Sequence, residues 1–214
     1  ALLDARVSIV RDLAFTEVYQ TFFNPEPQTL EGVYRFRVPD GAIIERFGVD
    51  RGDDVVFGYV KEKQAAEAQY QKNVYVGSKE DPALLAWKEP GVYEARLYPI
   101  EAGQSRRVMI RYTEWLHRSG EKGERRLYTY PMASEGTESS APLIEDLTIS
   151  VDVAKAGAKS VRSGMAAERL GDELIVVGHD LVPRAASSVE LFFDGPEKLV
   201  AIRAKHQPDP VMQA

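Results

Sequence analysis

The 214 residues carry 33 acidic and 27 basic side chains, a net charge of −6 and a pI of about 5.3, and 44% of them are hydrophobic. That length holds one domain or two small ones with a substantial core, and the acidic balance excludes a general nucleic-acid binder, which would show a basic face or a high pI. With no cysteine there is no disulfide framework or thiolate metal site, and no apolar run approaches the roughly 20 residues that span a bilayer.

Residues 3–13 alternate, with Ala5, Val7, Ile9 and Leu13 on one side and Arg6 and Ser8 on the other, which is strand periodicity. Residues 15–23 read as a second strand, stopped by Asn24-Pro25-Glu26-Pro27, whose prolines cannot donate to a ladder. The most organised stretch is 30–72. A strand at 32–38 sets Tyr34, Phe36 and Val38 on one face and Val33, Arg35 and Arg37 on the other. Pro39-Asp40-Gly41 is a turn, because Pro presets φ and Gly supplies a positive one. A strand at 42–49, a turn at 50–54 and a strand at 55–60 follow. Residues 61–72 contain no Gly, Pro or β-branched residue and are rich in Ala, Glu, Gln and Lys, which predicts a short helix.

A long connection at 74–91 contains Gly77, Pro82 and Pro90, and 81–87 open a helical turn with Pro at its first position. Strands at 93–98 and 108–113 pair across a turn at 99–104 closed by Gly103. Residues 117–126 are polar with two glycines, a loop or a boundary. Further strands are expected at 127–130, 143–153, 160–163, 173–177, 187–193 and 199–204, with a second connection at 133–142. Many short strands between Gly, Pro, Asp and Ser turns indicate an all-β, sandwich-like fold with one short helix. The later strands either continue that sandwich or form a companion. The hinge-like composition of 117–126 favours a module at 1–117, a β-rich companion at 118–205 and a tail at 206–214.

His117, His179 and His206 lack metal-ligand spacing and read as isolated loop histidines. There is no nucleophile elbow, P-loop or dinucleotide fingerprint. In Asp50-Arg51-Gly52-Asp53-Asp54, the carboxylates of Asp50, Asp53 and Asp54 could form a weak Ca²⁺ loop, and Arg51-Gly52-Asp53 resembles an integrin ligand. The plainer reading is a hairpin turn, which demands Asp and Gly, so no metal is assigned. On the expected helix, Ala66 and Tyr70 could cover a sheet edge, while Lys61, Glu62, Lys63 and Glu67 could form a docking face. Trp87, between two prolines, is the expected exposed anchor. Trp115, at the end of a strand, is expected to pack.

Several of these pieces, in this order, resemble the VIT domain, the vault-protein/inter-α-trypsin-inhibitor heavy-chain module. They are Ala5-x-Val7, Glu17-Val18-Tyr19-Gln20-Thr21-Phe22-Phe23-Asn24, Leu30-Glu31-Gly32-Val33-Tyr34-Arg35-Phe36 running into Val38-Pro39 and Ala42, Gly58-Tyr59-Val60-Lys61-Glu62-Lys63, Ala65-Ala66 with Tyr70, and Pro99-Ile100-Glu101-Ala102-Gly103. Arg37 and Glu101-Ala102-Gly103 depart from the family pattern at turn or surface positions. The resemblance covers about the first 117 residues and implies a non-catalytic module with no cofactor, since the matched positions are mainly turns and core. It also implies a following von Willebrand A domain with Asp-x-Ser-x-Ser, a run this chain lacks, so the chain reads as a piece that stops before it. The expected function is protein interaction or scaffolding within a larger bacterial envelope, periplasmic or secreted protein that reaches a membrane only through other segments. The alternative is a carbohydrate- or Ca²⁺-dependent adhesion module.

Overall fold

The computed structural model describes residues 1–51, 54–62, 84–89, 91–121, 123–131, 143–182 and 188–194. Among them lie fifteen strands and no helix: β1 (Leu2–Val10), β2 (Leu13–Phe23), β3 (Leu30–Arg37), β4 (Ile43–Arg51), β5 (Asp54–Glu62), β6 (Leu84–Glu89), β7 (Val92–Ile100), β8 (Ser105–Trp115), β9 (His117–Ser119), β10 (Arg125–Pro131), β11 (Ile144–Asp152), β12 (Ser160–Ser163), β13 (Ala167–Leu170), β14 (Glu173–Leu181) and β15 (Ser188–Asp194). Eleven form one sheet in the order β13-β14-β11-β1-β2-β8-β4-β5-β6-β7-β3, and four form a second, β12-β15-β10-β9. The all-β expectation holds.

Alternation decides the faces. In β1, Leu3, Ala5, Val7 and Ile9 are buried. Arg11 takes φ 55 in the turn that follows, so Leu13 opens β2 instead of ending β1 and falls on the opposite face. β11 joins β1 in parallel with Leu3↔Leu147, Ala5↔Ile149 and Val7↔Val151 in register. All six are buried, and fully burying a Val, Leu or Ile side chain contributes about 1.5–3 kcal/mol. The long sheet then folds back on itself. Phe22 of β2 meets Tyr34 of β3 edge-on at 5.5 Å, and Phe36 of β3 stacks on Phe47 of β4 at 6.5 Å. These strands are not neighbours in the ladder, so the contacts run face to face, as in a sandwich. The turn at Pro39-Asp40-Gly41 forms as expected, with Gly41 at φ 79 and Ala42 N–H donating to Pro39 O.

The second sheet packs on the inner face of the first. Tyr128, Leu191 and Phe193 share one core with Leu3, Ile110 and Leu147, and the Tyr128 hydroxyl lies 3.1 Å from Thr16 Oγ1 of β2. The stretch 117–126, read as a loop or hinge, contains β9 and the start of β10. Arg118 donates to Asp12 Oδ1 at 2.6 Å, and Arg126 donates to the carbonyls of Arg11 and Ala156.

Two expected helical segments need correction. Lys61 and Glu62 are strand, because they continue β5 and pair in parallel with Ala86 and Trp87; the rest of that expected helix, with Lys63 and Glu67, lies outside the described residues. The turn expected at 81–87 is replaced from Leu84 onward by β6, held between β5 and β7. The strand expected at 199–204 and the tail at 206–214 also lie outside the described residues.

Candidate interaction face

The outer face of the large sheet is built by the odd-numbered residues of β2 and β8, and the register sets its rungs. One rung reads Ser150, Arg6, Glu17, Arg111 across β11, β1, β2 and β8. Opposite charges thus stand directly opposite one another, the arrangement that stabilises a ladder. Arg111 continues it to Glu45 at 2.9 Å, and Thr113 donates its hydroxyl to the same carboxylate. Tyr19 donates to Glu17 Oε1 at 2.8 Å, while the Arg6 guanidinium sits 5.5 Å from the Tyr19 ring centre. That hydrogen bond to Glu17, with burial, raises the Tyr19 phenol above its ordinary range. Arg6, Ser8, Phe15, Glu17, Arg111 and Asp152 line a shallow open groove of about 350 Å³.

Beside the groove the face becomes apolar. Leu13 pairs with Trp115, and the next rung runs Ser8, Phe15, Thr113, Ile43. Trp115 is 66% exposed and Ile43 is 69% exposed. Further along the sheet, Phe57 is also exposed and pairs with buried Gly48. A Cβ on Gly48 would stand 3.2 Å from the Phe57 ring and 2.6 Å from Val55 Cγ1, so glycine lets both side chains lie over the β4 backbone. The surface therefore offers large apolar side chains beside charges of both signs, the composition of a protein-binding patch.

Trp115 overturns its expectation: it stands in the open. The signal was in the sequence, since Arg111, Thr113 and Trp115 share one parity and the first two are polar. Trp87 occupies β6, opposite Tyr93; its side chain lies outside the described residues, as does Asp53. Asp50 is tied to β8. Its Oδ1 accepts the Arg107 N–H at 2.7 Å, and its carbonyl accepts from Arg106. Asp54 pairs with Arg51 across the β4–β5 hairpin, as a turn requires. His179 Nδ1 lies 2.7 Å from Asp146 Oδ1, a pair with both side chains exposed. Among the described residues no three His, Cys, Asp or Glu side chains gather as a metal site.

A second polar cluster is structural. On β7, Glu94 accepts from Arg35 and Lys88, each at 2.7 Å, and so links β3, β7 and β6. Burial pushes its carboxyl up, but the two cations outweigh burial and hold it below its ordinary range.

Residues 2–112 match the profile of the Vault protein inter-alpha-trypsin domain. A search of curated proteins finds no match. Among solved structures, the chain is similar to a Legionella pneumophila protein provisionally described as nutrient binding, with 12% identity and a TM-score of 0.55 over 89% of this chain and 65% of that one. It is also similar to an M1 zinc metallopeptidase from Deinococcus radiodurans, with 10% identity and a TM-score of 0.43 over 89% of this chain and 41% of that one. The chain thus spans about two thirds of the length of the first and under half of the second. At such identities the likeness concerns the fold alone.

Proposed function

The chain belongs to the VIT family, and from that premise we propose that it is a non-catalytic protein-interaction module of a larger protein, docking a partner on the outer face of its large sheet. The observation that carries this reading is the exposure of Trp115 and Ile43 on adjoining rungs, next to a ladder of alternating charges. An aromatic anchor at the centre of a mixed patch is the usual seat of binding energy. Three buried polar side chains support the same reading: Asn24 and Arg126 donate to backbone carbonyls, and Thr16 bonds to the Tyr128 hydroxyl, which builds a frame. The partner is a protein domain, and a von Willebrand A domain of the same polypeptide is the first candidate. The setting is the cell envelope or outside the cell.

The test is the double variant Trp115→Ser with Ile43→Ser in the full-length protein. Both side chains are largely in water, so stability should change by less than about 1 kcal/mol. Partner affinity should fall at least tenfold, as for an interface hot spot. Unchanged affinity, with the variant folded, would refute the reading.

A further inference from the structure

One buried carboxyl group has no charged partner among the described residues. Glu114 of β8 turns into the seam between the two sheets, where it is 6% exposed, and its Oε1 has no hydrogen-bond partner among the described residues. Its described neighbours along the two strands and across the seam are uncharged. Ala14 stands opposite on β2, with Thr16 beyond it. Along β8 comes Tyr112, whose β4 neighbour is Ile44. From the four-stranded sheet, β10 contributes Tyr128 and Tyr130. Burial raises all three tyrosines above the ordinary phenol range.

The charged groups of the seam are engaged elsewhere. Arg118 of β9 donates to Asp12 and to the Gly123 carbonyl. Arg126 of β10 donates to the Arg11 and Ala156 carbonyls and stands 3.9 Å from Asp12. Glu114 gains no cation from either, and burial pushes it up to about 8.

We propose that Glu114 is a proton-operated latch: the neutral acid seals the seam, and ionisation loosens the four-stranded sheet from the large one. The direction follows from linkage. The seam binds the proton more tightly than the opened state, whose carboxyl has the ordinary value of 4.5. The stabilisation is complete below about pH 4.5, is lost as pH rises toward 8, and is constant above. Between those limits the opening equilibrium rises close to tenfold per pH unit.

Hydrogen exchange of the β10 and β15 amides in the whole chain, corrected for the intrinsic rate, reads that opening. Between pH 5 and 8 it should rise at least a hundredfold in the wild type and less than threefold in Glu114→Gln. An equal rise in both proteins, or a wild-type rise under threefold, overturns the latch. Should Glu114→Gln fail to fold, the carboxyl carbon of wild-type Glu114 decides by NMR: a midpoint near 8 supports the latch, and one near 4.5 overturns it.

Discussion

Arg126→Met tests whether the two sheets are bound into one cooperative body. Arg126 is 1% exposed, yet it carries a guanidinium. One nitrogen, Nη1, donates to the Ala156 carbonyl at 2.8 Å and to the Arg11 carbonyl, and the guanidinium carbon lies 5.9 Å from the Phe193 ring centre. It thereby fastens β10 to the β1–β2 turn and to the turn after β11. Methionine keeps the aliphatic stem but removes every donor. The buried Ala156 carbonyl left without its charged donor costs about 1–3 kcal/mol, and the part-buried Arg11 carbonyl, which water can reach, costs less. Asp12 remains paired with Arg118 at 2.6 Å, so its charge adds little further penalty. The expected loss is about 2–4 kcal/mol, a large share of the ~5–15 kcal/mol that holds a domain together. Urea unfolding followed by far-UV circular dichroism measures it as a lower midpoint with unchanged slope. A loss below about 1 kcal/mol, or a new first transition that leaves β1 and β2 intact, would refute the reasoning.

Three other outcomes are expected. Asn24 is buried and donates through Nδ2 to the Gln28 and Ile100 carbonyls while its Oδ1 accepts from Glu26 N–H; Asn24→Ala should cost about 2–4 kcal/mol in the same urea assay, and a cost under 1 kcal/mol would contradict these roles. Glu94 titrates below its ordinary range in the fold, so its ion pairs stabilise above about pH 4.5 and are lost as pH falls through the depressed value. Glu94→Gln should therefore lower the melting temperature at pH 7 and change it little at pH 2.5, and an equal drop at both would count against the ion pairs. Because Asp50 is held by the Arg107 amide, millimolar Ca²⁺ should leave the melting temperature unchanged, whereas a site filled to 100 times its Kd would add about 2.7 kcal/mol.

Much of the fold was legible because alternation is a local property. Leu147, Ile149 and Val151 declare a buried face within five residues, and Pro39-Asp40-Gly41 declares its turn within three. What escaped depends on distant partners. Nothing near Leu3 says that its neighbour is Leu147, and a parallel pairing leaves no turn signature. Residues 84–89 become strand because β5 and β7 lie on either side, not because of their own propensity. Arg126 sits in a polar, glycine-bearing stretch that reads as a hinge, and only the fold supplies the carbonyls that bury it. The interaction face was half visible. The parity of Arg111 and Thr113 places Trp115 on the polar side, but the adjacency of Ile43 required the β4–β8 register.

The most direct test of the interaction face is site-specific photocrosslinking in the full-length protein, with benzoylphenylalanine replacing Trp115 in one sample and His179, on the same sheet but away from the apolar rungs, in another. Position 115 should yield crosslinked peptides from one defined protein domain, and position 179 should yield few. No protein crosslink at 115, or equal yields at both positions, would contradict a docking surface centred on the exposed tryptophan.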